Sequence, residues 1–225
     1  MTFYLKLATS IVLLSKHGSV SVGGTCFAFG DRHTFLTAEH CVPEGTAVMV
    51  LQEPGRIQRP ALVIERNPAH DVALIRTAPL DHESAELQVV NRIPEDLIDG
   101  GDFLTYGYPS DGGSGALVGR LLKGHFQRYF PYKNGRGHSY FAGEMSAATP
   151  SGHSGGPVVR ASSPQSLEGI VTTNHESYMV LDQIEQVEED GKTLRVESRR
   201  VVTYGIAALA ISLKPWLIEQ GVLQP

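Results

Sequence analysis

The sequence predicts an all-β fold of antiparallel barrels or sandwiches, and three observations support this class. Short runs rich in apolar and β-branched residues recur along the chain. Turn signals separate these runs roughly every 8 to 15 residues, a spacing that favours antiparallel strands over alternating strands and helices. A polar segment at 91–102, with a proline and a Gly-Gly pair, divides the runs into two sets. We therefore expect two β units joined by this linker.

The expected strands follow one another along the chain. Before the linker they are SIVLLS, GTCFAFG, TFLTA, AVMVLQ, ALVIER and DVALIR, and after it they are FLTYGY, ALVGRLL, YFAGEM, PVVRA, LEGIVTT and VVTYGIAAL. Residues 177–202 are typical of a long hairpin, and Asp190 and Gly191 suit its tight turn.

One helix is expected near the C-terminus, over the stretch LKPWLIEQ. Ser212 precedes this stretch, and its hydroxyl can accept a hydrogen bond from the first free N–H groups, which makes it the expected N-cap. Pro215 then falls in the first turn, where a missing N–H costs little, and Gly221 follows the last turn. These signals predict a helix that begins directly after Ser212.

The composition excludes several classes of function. The chain has 225 residues and a formal net charge of -5, so it offers no basic surface of the kind that binds nucleic acid or anionic lipid. Its most apolar stretches, 11–14 and 204–213, are shorter than the roughly 20 residues that span a bilayer. The first residues lack the cleavage site of a secretory signal. We therefore expect no nucleic acid and no membrane as partner, favour the cytoplasm as compartment, and leave the oligomeric state open.

The stretch GHSGGP places Ser154 among glycines. Glycine permits a positive φ and the close approach of another backbone, which suits a nucleophile and equally suits a tight turn. A serine hydroxyl becomes a nucleophile only when an imidazole takes its proton and a carboxylate orients that imidazole. His40 ends an apolar run in FLTAEHCV, and Asp71 heads the run DVALIR. Taken singly, they fit a core histidine and a turn residue; in the order His, Asp, Ser, the three form a candidate catalytic triad.

The motifs TAEHC, HDVALI and GHSGGP resemble the three catalytic signatures of the trypsin/chymotrypsin-fold serine peptidases. The likeness covers roughly residues 9–220 and is more similar to compact HtrA/Deg-like and viral members than to the digestive enzymes. It implies a single trypsin-like peptidase domain over 1–225, built of two packed antiparallel six-stranded β-barrels with a C-terminal helix. The N-terminal barrel would occupy 1–95, and the C-terminal barrel with the helix would occupy 96–225.

The resemblance also implies the other parts of the site. The backbone N–H groups of Gly152 and Ser154 would bind the developing oxyanion, at roughly 3 kcal/mol per donor. GIVTTN resembles the strand that pairs with substrate, so an extended peptide would contact the three residues Thr172, Thr173 and Asn174. Thr172 would also bond Asp71. Ala148, six residues before the nucleophile, would form the base of the primary pocket and offers no charge to a basic side chain.

The same resemblance implies where the two cysteines lie. Cys26 and Cys41 would lie close together, and such a pair is bridged in many relatives. Whether they form a disulfide depends on the compartment, and the absence of a secretory signal favours reduced thiols.

Two positions depart from the family pattern. Glu39 stands where a small residue usually precedes the histidine, and we expect its carboxylate to face solvent. His153 stands where zymogen members carry the acid that pairs with a new N-terminus, and an imidazole cannot supply that carboxylate.

These observations predict a serine endopeptidase that acylates Ser154, with His40 as general base and Asp71 as the orienting carboxylate. The mechanism needs no cofactor and no metal, and the expected partner is a protein or peptide substrate. Two alternatives stay open: a catalytically inactive trypsin-like binding module, and a dedicated viral or mobile-element processing protease. The intact set of three residues favours an enzyme over a binding module.

Overall fold

A computed structural model of the chain describes residues 2–52, 57–79, 88–109, 118–187 and 193–224. Within these ranges, the strands form two closed antiparallel barrels of six strands each, and a helix follows the second barrel. The predicted all-β class and the pair of barrels are therefore confirmed.

The first barrel contains the strands before the polar segment. They are β1 (Thr9–Lys16), β2 (Ser19–Ala28), β3 (Thr34–Ala38), β4 (Ala47–Gln52), β5 (Ile57–Asn67) and β6 (Val72–Thr77), and they lie in the order β1-β2-β3-β6-β5-β4. Between β1 and β2, His17 and Gly18 form a two-residue turn with φ angles of 51° and 82°. Two positive φ angles match the twist of a tight hairpin, so this turn sets the register of the first strand pair.

The second barrel contains the remaining strands. They are β7 (Asp102–Gly107), β8 (Arg120–Lys133), β9 (Ser139–Met145), β10 (Pro157–Arg160), β11 (Ser163–Val187) and β12 (Thr193–Leu209), and they lie in the order β10-β11-β12-β9-β8-β7. β11 and β12 pair from Gly169 with Leu209 out to Val187 with Thr193, which confirms the long hairpin. The expected turn at Asp190 and Gly191 lies outside the described residues.

The C-terminal helix begins earlier than its capping signals predict. Helix α2 spans Ala210–Glu219, so Ser212 lies inside it and the expectation that Ser212 is the N-cap is wrong. β12 runs directly into the helix through Leu209, which provides no side-chain cap. Ala210 and Leu213 are fully buried, so packing of the first turn determines where the helix starts.

The position of Pro215 and the presence of a second helix were not expected from the sequence. Pro215 lies in the middle of α2 and not in its first turn. A second helix, α1 (Thr2–Ala8), precedes β1, where no helix was expected. None of the described helices has the length and apolar character needed to cross a lipid bilayer.

The alternation of side chains along the strands creates separate apolar clusters. In β2, Cys26 and Ala28 belong to the cluster inside the first barrel, whereas Phe27 belongs to a cluster that also contains residues of the second barrel, among them Ile170 and Ile206. A fully buried side chain of this size contributes about 1.5–3 kcal/mol. The shared cluster therefore holds the two barrels together and fixes the cleft between them.

Candidate active site

His40 and Asp71 meet because the strands that precede and follow them are neighbours. Ala38 at the end of β3 pairs with Val72 at the start of β6, and a 3₁₀ turn over Glu39–Cys41 follows β3. His40 Nδ1 lies 2.7 Å from Asp71 Oδ2, and the His40 backbone N–H donates to Asp71 Oδ1 at 3.1 Å. With the imidazole N–H on Nδ1, the carboxylate accepts its hydrogen bond, which leaves Nε2 as the basic nitrogen.

Asp71 has a left-handed backbone with a φ of 55°. Aspartate tolerates this region better than most residues, yet the conformation costs on the order of 1 kcal/mol. The Glu39 N–H donates to the Asp71 carbonyl at 2.9 Å, so the backbone is held in addition to the side chain. The bonds from Glu39 and His40 offset the strain and orient the carboxylate towards the imidazole.

The surroundings of His40 act on its pKa in opposite directions. Burial lowers the pKa, but the hydrogen bond to Asp71, a hydrogen bond with Cys41 and the charges of these two groups raise it to about 10. The imidazolium form is therefore favoured here. Such a site stabilises a positive charge that develops on the ring when it accepts a proton.

Ser154 lines the same cleft as His40 and Asp71. The cleft has a volume of about 460 Å³, and its lining includes His40, Asp71 and Ser154. Ser154 Oγ donates to the Thr172 carbonyl at 3.4 Å. Among the hydrogen bonds of the described residues, none joins Ser154 to His40. The three residues share one cleft, with the serine hydroxyl directed at β11.

The backbone conformation and close packing around Ser154 require glycine at the neighbouring positions. Gly152 and Gly155 have φ angles of +88° and +83°, which side chains rarely adopt. A Cβ at Gly155 would collide with the Thr25 carbonyl and lie 2.8 Å from the Ala38 backbone nitrogen. Only glycine therefore allows this loop to approach the first barrel so closely.

Two backbone donors in this loop have no partner in the part of the chain that the structure describes. The N–H groups of Gly152 and Ser154 are absent from its backbone hydrogen bonds, whereas those of His153 and Gly155 donate to Pro150 and Val171. Both free N–H groups are thus available to a ligand in the cleft.

His153, beside Ser154, is fully buried, and neither ring nitrogen has a hydrogen-bond partner among the described residues. Its ring packs on Gly107, where a Cβ would lie 2.8 Å from the imidazole. Burial, with a smaller contribution from the charge of Arg120, lowers the pKa of His153 to about 4. A neutral imidazole therefore fills this position at neutral pH.

The residues expected to contact substrate differ in their placement. Thr172, Thr173 and Asn174 line the cleft, but Ala148 is exposed and is not among its lining residues; the adjacent Thr149 takes that place. The expected bond from Thr172 to Asp71 is not formed.

Thr172 has other partners. Its Oγ1 lies 2.9 Å from the Tyr140 hydroxyl and donates to the Ile206 carbonyl at 3.2 Å. Tyr140 is buried, and burial is the main cause that raises the pKa of its phenol. The Thr172 hydroxyl therefore donates its proton to the Ile206 carbonyl and has no second proton to donate to the Asp71 carboxylate.

The expectation that Glu39 faces solvent is wrong. Glu39 is 8% exposed, and its carboxylate accepts hydrogen bonds from Arg66 at 3.1 Å and from Arg136. Arg66 lies in β5, whereas Arg136 lies in the turn between β8 and β9 and also lines the cleft. The Glu39–Arg136 pair therefore joins the two barrels beside His40.

Cys26 and Cys41 are both free and buried. Burial, with a contribution from Cys41, raises the pKa of the Cys26 thiol. The Cys41 thiol donates to the Ser154 carbonyl at 3.6 Å. Within the described ranges, no group of three or more His, Cys, Asp or Glu side chains is arranged to hold a metal ion.

Comparison with known sequences identifies a family and a relative. Residues 24–164 match the model of the trypsin-like peptidase domain. A protein of Sinorhizobium fredii (strain NBRC 101917 / NGR234), y4bJ, described as uncharacterized, is 26% identical over 182 residues, which are 77% of this chain and 25% of that protein. The chain thus spans about a quarter of the length of this curated relative.

Solved structures share the fold at low sequence identity. The active form of the Rv3671c protease from M. tuberculosis has a TM-score of 0.66 and 18% identity, over 98% of this chain and 84% of that chain. The HtrA-type protease AlgW with a decapeptide has a TM-score of 0.66 and 16% identity, over 96% of this chain and 64% of that chain.

Proposed function

The chain belongs to the family of trypsin-like peptidase domains, and from this premise we propose that it is a serine endopeptidase with Ser154 as nucleophile, His40 as general base and Asp71 as orienting carboxylate. One observation carries the proposal: the 2.7 Å contact between His40 Nδ1 and Asp71 Oδ2, in a cleft that Ser154 also lines. An imidazole held in this tautomer presents Nε2 to a serine hydroxyl.

The reaction proceeds in two halves. The Ser154 hydroxyl first exchanges its hydrogen bond to the Thr172 carbonyl for one to His40 Nε2. It then transfers its proton to Nε2 as its oxygen attacks the carbonyl carbon of the substrate. The resulting oxyanion accepts hydrogen bonds from the free N–H groups of Gly152 and Ser154, which are worth roughly 3 kcal/mol each. The imidazolium then protonates the leaving amine, and a water molecule hydrolyses the acyl-enzyme by the same route.

The substrate is an extended peptide that lies along β11. Thr172 falls at an irregularity in the pairing of β11 with β12, between Val171 and Thr173, and its carbonyl is directed into the cleft towards Ser154. A peptide at this edge gains main-chain hydrogen bonds of the kind that an added strand makes. Protein and peptide chains are therefore the substrate class.

Covalent labelling with a fluorophosphonate tests the proposal. We expect the folded protein to gain one phosphonyl group on the peptide that contains Ser154, as measured by intact mass and peptide mapping. Ser154→Ala removes a single oxygen and is expected to abolish both labelling and peptide hydrolysis while the circular dichroism spectrum is unchanged. Ser151→Ala, an exposed serine in the same loop, is the matched control and is expected to be labelled at Ser154.

Two results would contradict the proposal. A folded wild-type protein that is not labelled but binds peptides would support the inactive binding module. Labelling that persists in Ser154→Ala would assign the nucleophile to another residue.

A processing protease for one polyprotein would share the mechanism and differ in selectivity, so a peptide library would then show cleavage of a single extended sequence.

A further inference from the structure

The side chain of Asn174 spans the cleft from β11 to the loop before Ser154. Its Oδ1 accepts hydrogen bonds from the Thr149 N–H at 2.9 Å and from the Thr149 hydroxyl at 2.8 Å, and its Nδ2 donates to the Thr149 carbonyl at 2.7 Å. One amide thus uses both its polar atoms on a single residue. Thr149 is 6% exposed whereas Asn174 is exposed, so the bonds lie where the buried loop meets the open cleft.

The space behind this contact is filled. Gly205 of β12 lies there, and a Cβ added to it would be 2.5 Å from Met145 Cε, 2.7 Å from the Ala147 carbonyl and 3.0 Å from Thr149 Cγ2. Met145 is fully buried, and the Gly205 N–H donates to Ala147 at 3.0 Å. Even a single methyl group has no room at this point, so β12 packs closely behind Thr149 and holds this residue in place against Asn174.

From this geometry we propose that Asn174 closes the primary specificity pocket against Thr149, so that the enzyme cleaves after small uncharged residues such as alanine, serine and glycine. The inference rests on the proposed function, because the pocket in question receives the side chain that precedes the scissile bond. Both Asn174 and Thr149 line the cleft together with Ser154.

The charges of the cleft support the same selectivity. Of the described charged side chains that line it, Asp71 is bonded to His40 and Arg136 is bonded to Glu39. A basic or acidic substrate side chain would therefore enter without a free partner, at the cost of its hydration. A larger apolar side chain would have to break three hydrogen bonds, and a single methylene already changes selectivity by roughly 10-fold to 200-fold.

Peptidyl diphenyl phosphonates test this proposal when they differ only in the side chain next to the phosphorus atom, which takes the place of the side chain before the scissile bond. We expect the wild-type protein to react with the alanine compound at least about tenfold faster than with the leucine, phenylalanine or lysine compounds. Asn174→Gly removes the closing side chain and is expected to lower the alanine-to-leucine rate ratio by about tenfold. Asn174→Ala is a second variant that keeps a Cβ, and Ser177→Gly, on the same strand outside the cleft, is the control with an unchanged ratio.

The outcomes separate this inference from the function on which it rests. Wild-type protein that is labelled by a fluorophosphonate, yet prefers the leucine or phenylalanine compound, overturns the inference alone. A folded Asn174→Gly and a folded Asn174→Ala that both keep the wild-type ratio also overturn it. A protein that neither reagent labels overturns the proposed function and the inference together.

Discussion

The Thr25 hydroxyl donates a hydrogen bond to the Gly152 carbonyl at 2.8 Å and so joins the first barrel to the loop of the candidate nucleophile. The same hydroxyl accepts a bond from the Tyr108 N–H at 3.0 Å, and the Thr25 N–H donates to the Ser154 carbonyl at 2.8 Å. Thr25 is fully buried. A residue of the first barrel therefore helps to hold the Ser154 loop in position.

Thr25→Val should remove this support without changing the side-chain shape. The substitution removes the hydrogen bonds of the Thr25 hydroxyl to the Tyr108 N–H and the Gly152 carbonyl, which we expect to lower the free energy of unfolding by about 2 kcal/mol. Displacement of the Ser154 loop should lower kcat by about tenfold or more, with a smaller change in KM. Urea unfolding and steady-state kinetics measure both effects. Thr46→Val, which removes a hydroxyl outside the cleft, is the control; equal losses in the two variants would contradict the role of Thr25.

The pH dependence of activity should reflect the raised pKa of His40. A general base must be neutral to accept a proton. The pKa of His40 is about 10, compared with an ordinary value of about 6.5, so the ring stays protonated up to a higher pH than a free histidine does. We therefore expect kcat/KM to rise with pH, with a midpoint on the alkaline side of 6.5. NMR titration of the imidazole in Ser154→Ala measures the same pKa directly, and Asp71→Asn should lower it. A midpoint at or below 6.5 would show that Asp71 does not stabilise the imidazolium.

Replacement of Glu39 should destabilise the protein more than replacement of its exposed partner. The Glu39 side chain is 10% exposed, the Arg66 side chain 22% and the Arg136 side chain 50%. Glu39→Gln keeps the shape but leaves two cations without a counter-charge, at an expected cost of about 1–3 kcal/mol. Arg136→Met should cost about 1 kcal/mol or less, because solvent screens an exposed pair. Urea unfolding of both variants compares them, and an equal or reversed order would refute the argument from burial.

His153 should make the protein less stable in acid. Its pKa of about 4 in the folded state is lower than the ordinary value of about 6.5, so the unfolded chain binds the proton more readily. The free energy of unfolding should therefore fall by about 3 kcal/mol as the pH drops from about 6.5 to 4, with no contribution from His153 above about pH 7. His153→Asn cannot titrate, so its stability should decline less over this range. Parallel curves for the two proteins in urea would disprove this source of acid sensitivity.

The strands and their division into two sets could be predicted from local patterns, whereas the two closed barrels and the meeting of His40 with Asp71 were implied by the resemblance of the motifs to a known family. Alternating apolar runs specify strands, and a histidine at the end of β3 lies beside an aspartate at the start of β6 once those strands pair. The chemical roles of His40, Asp71 and Ser154 stay predictions until they are tested.

The surroundings of these residues could not be predicted, because they depend on contacts between distant parts of the chain. Arg136 is 97 residues from Glu39, and only the folded chain brings its turn against the first barrel. Asn174 reaches Thr149 across 25 residues in the same way. The start of α2 differed for a related reason, since burial of Ala210 outweighs the capping preference of Ser212.

The division of the cleft between two barrels has a consequence for the synthesis of the protein. A ribosome completes the first barrel, with His40 and Asp71, before the loop of Ser154 leaves the exit tunnel. The loop of the proposed nucleophile is bonded to Thr25 of the first barrel as well as to Val171 of the second, so both barrels contribute to its position. The proposed hydrolysis therefore requires that both barrels are closed and docked, and a chain that stops before the last strands of the second barrel should lack it.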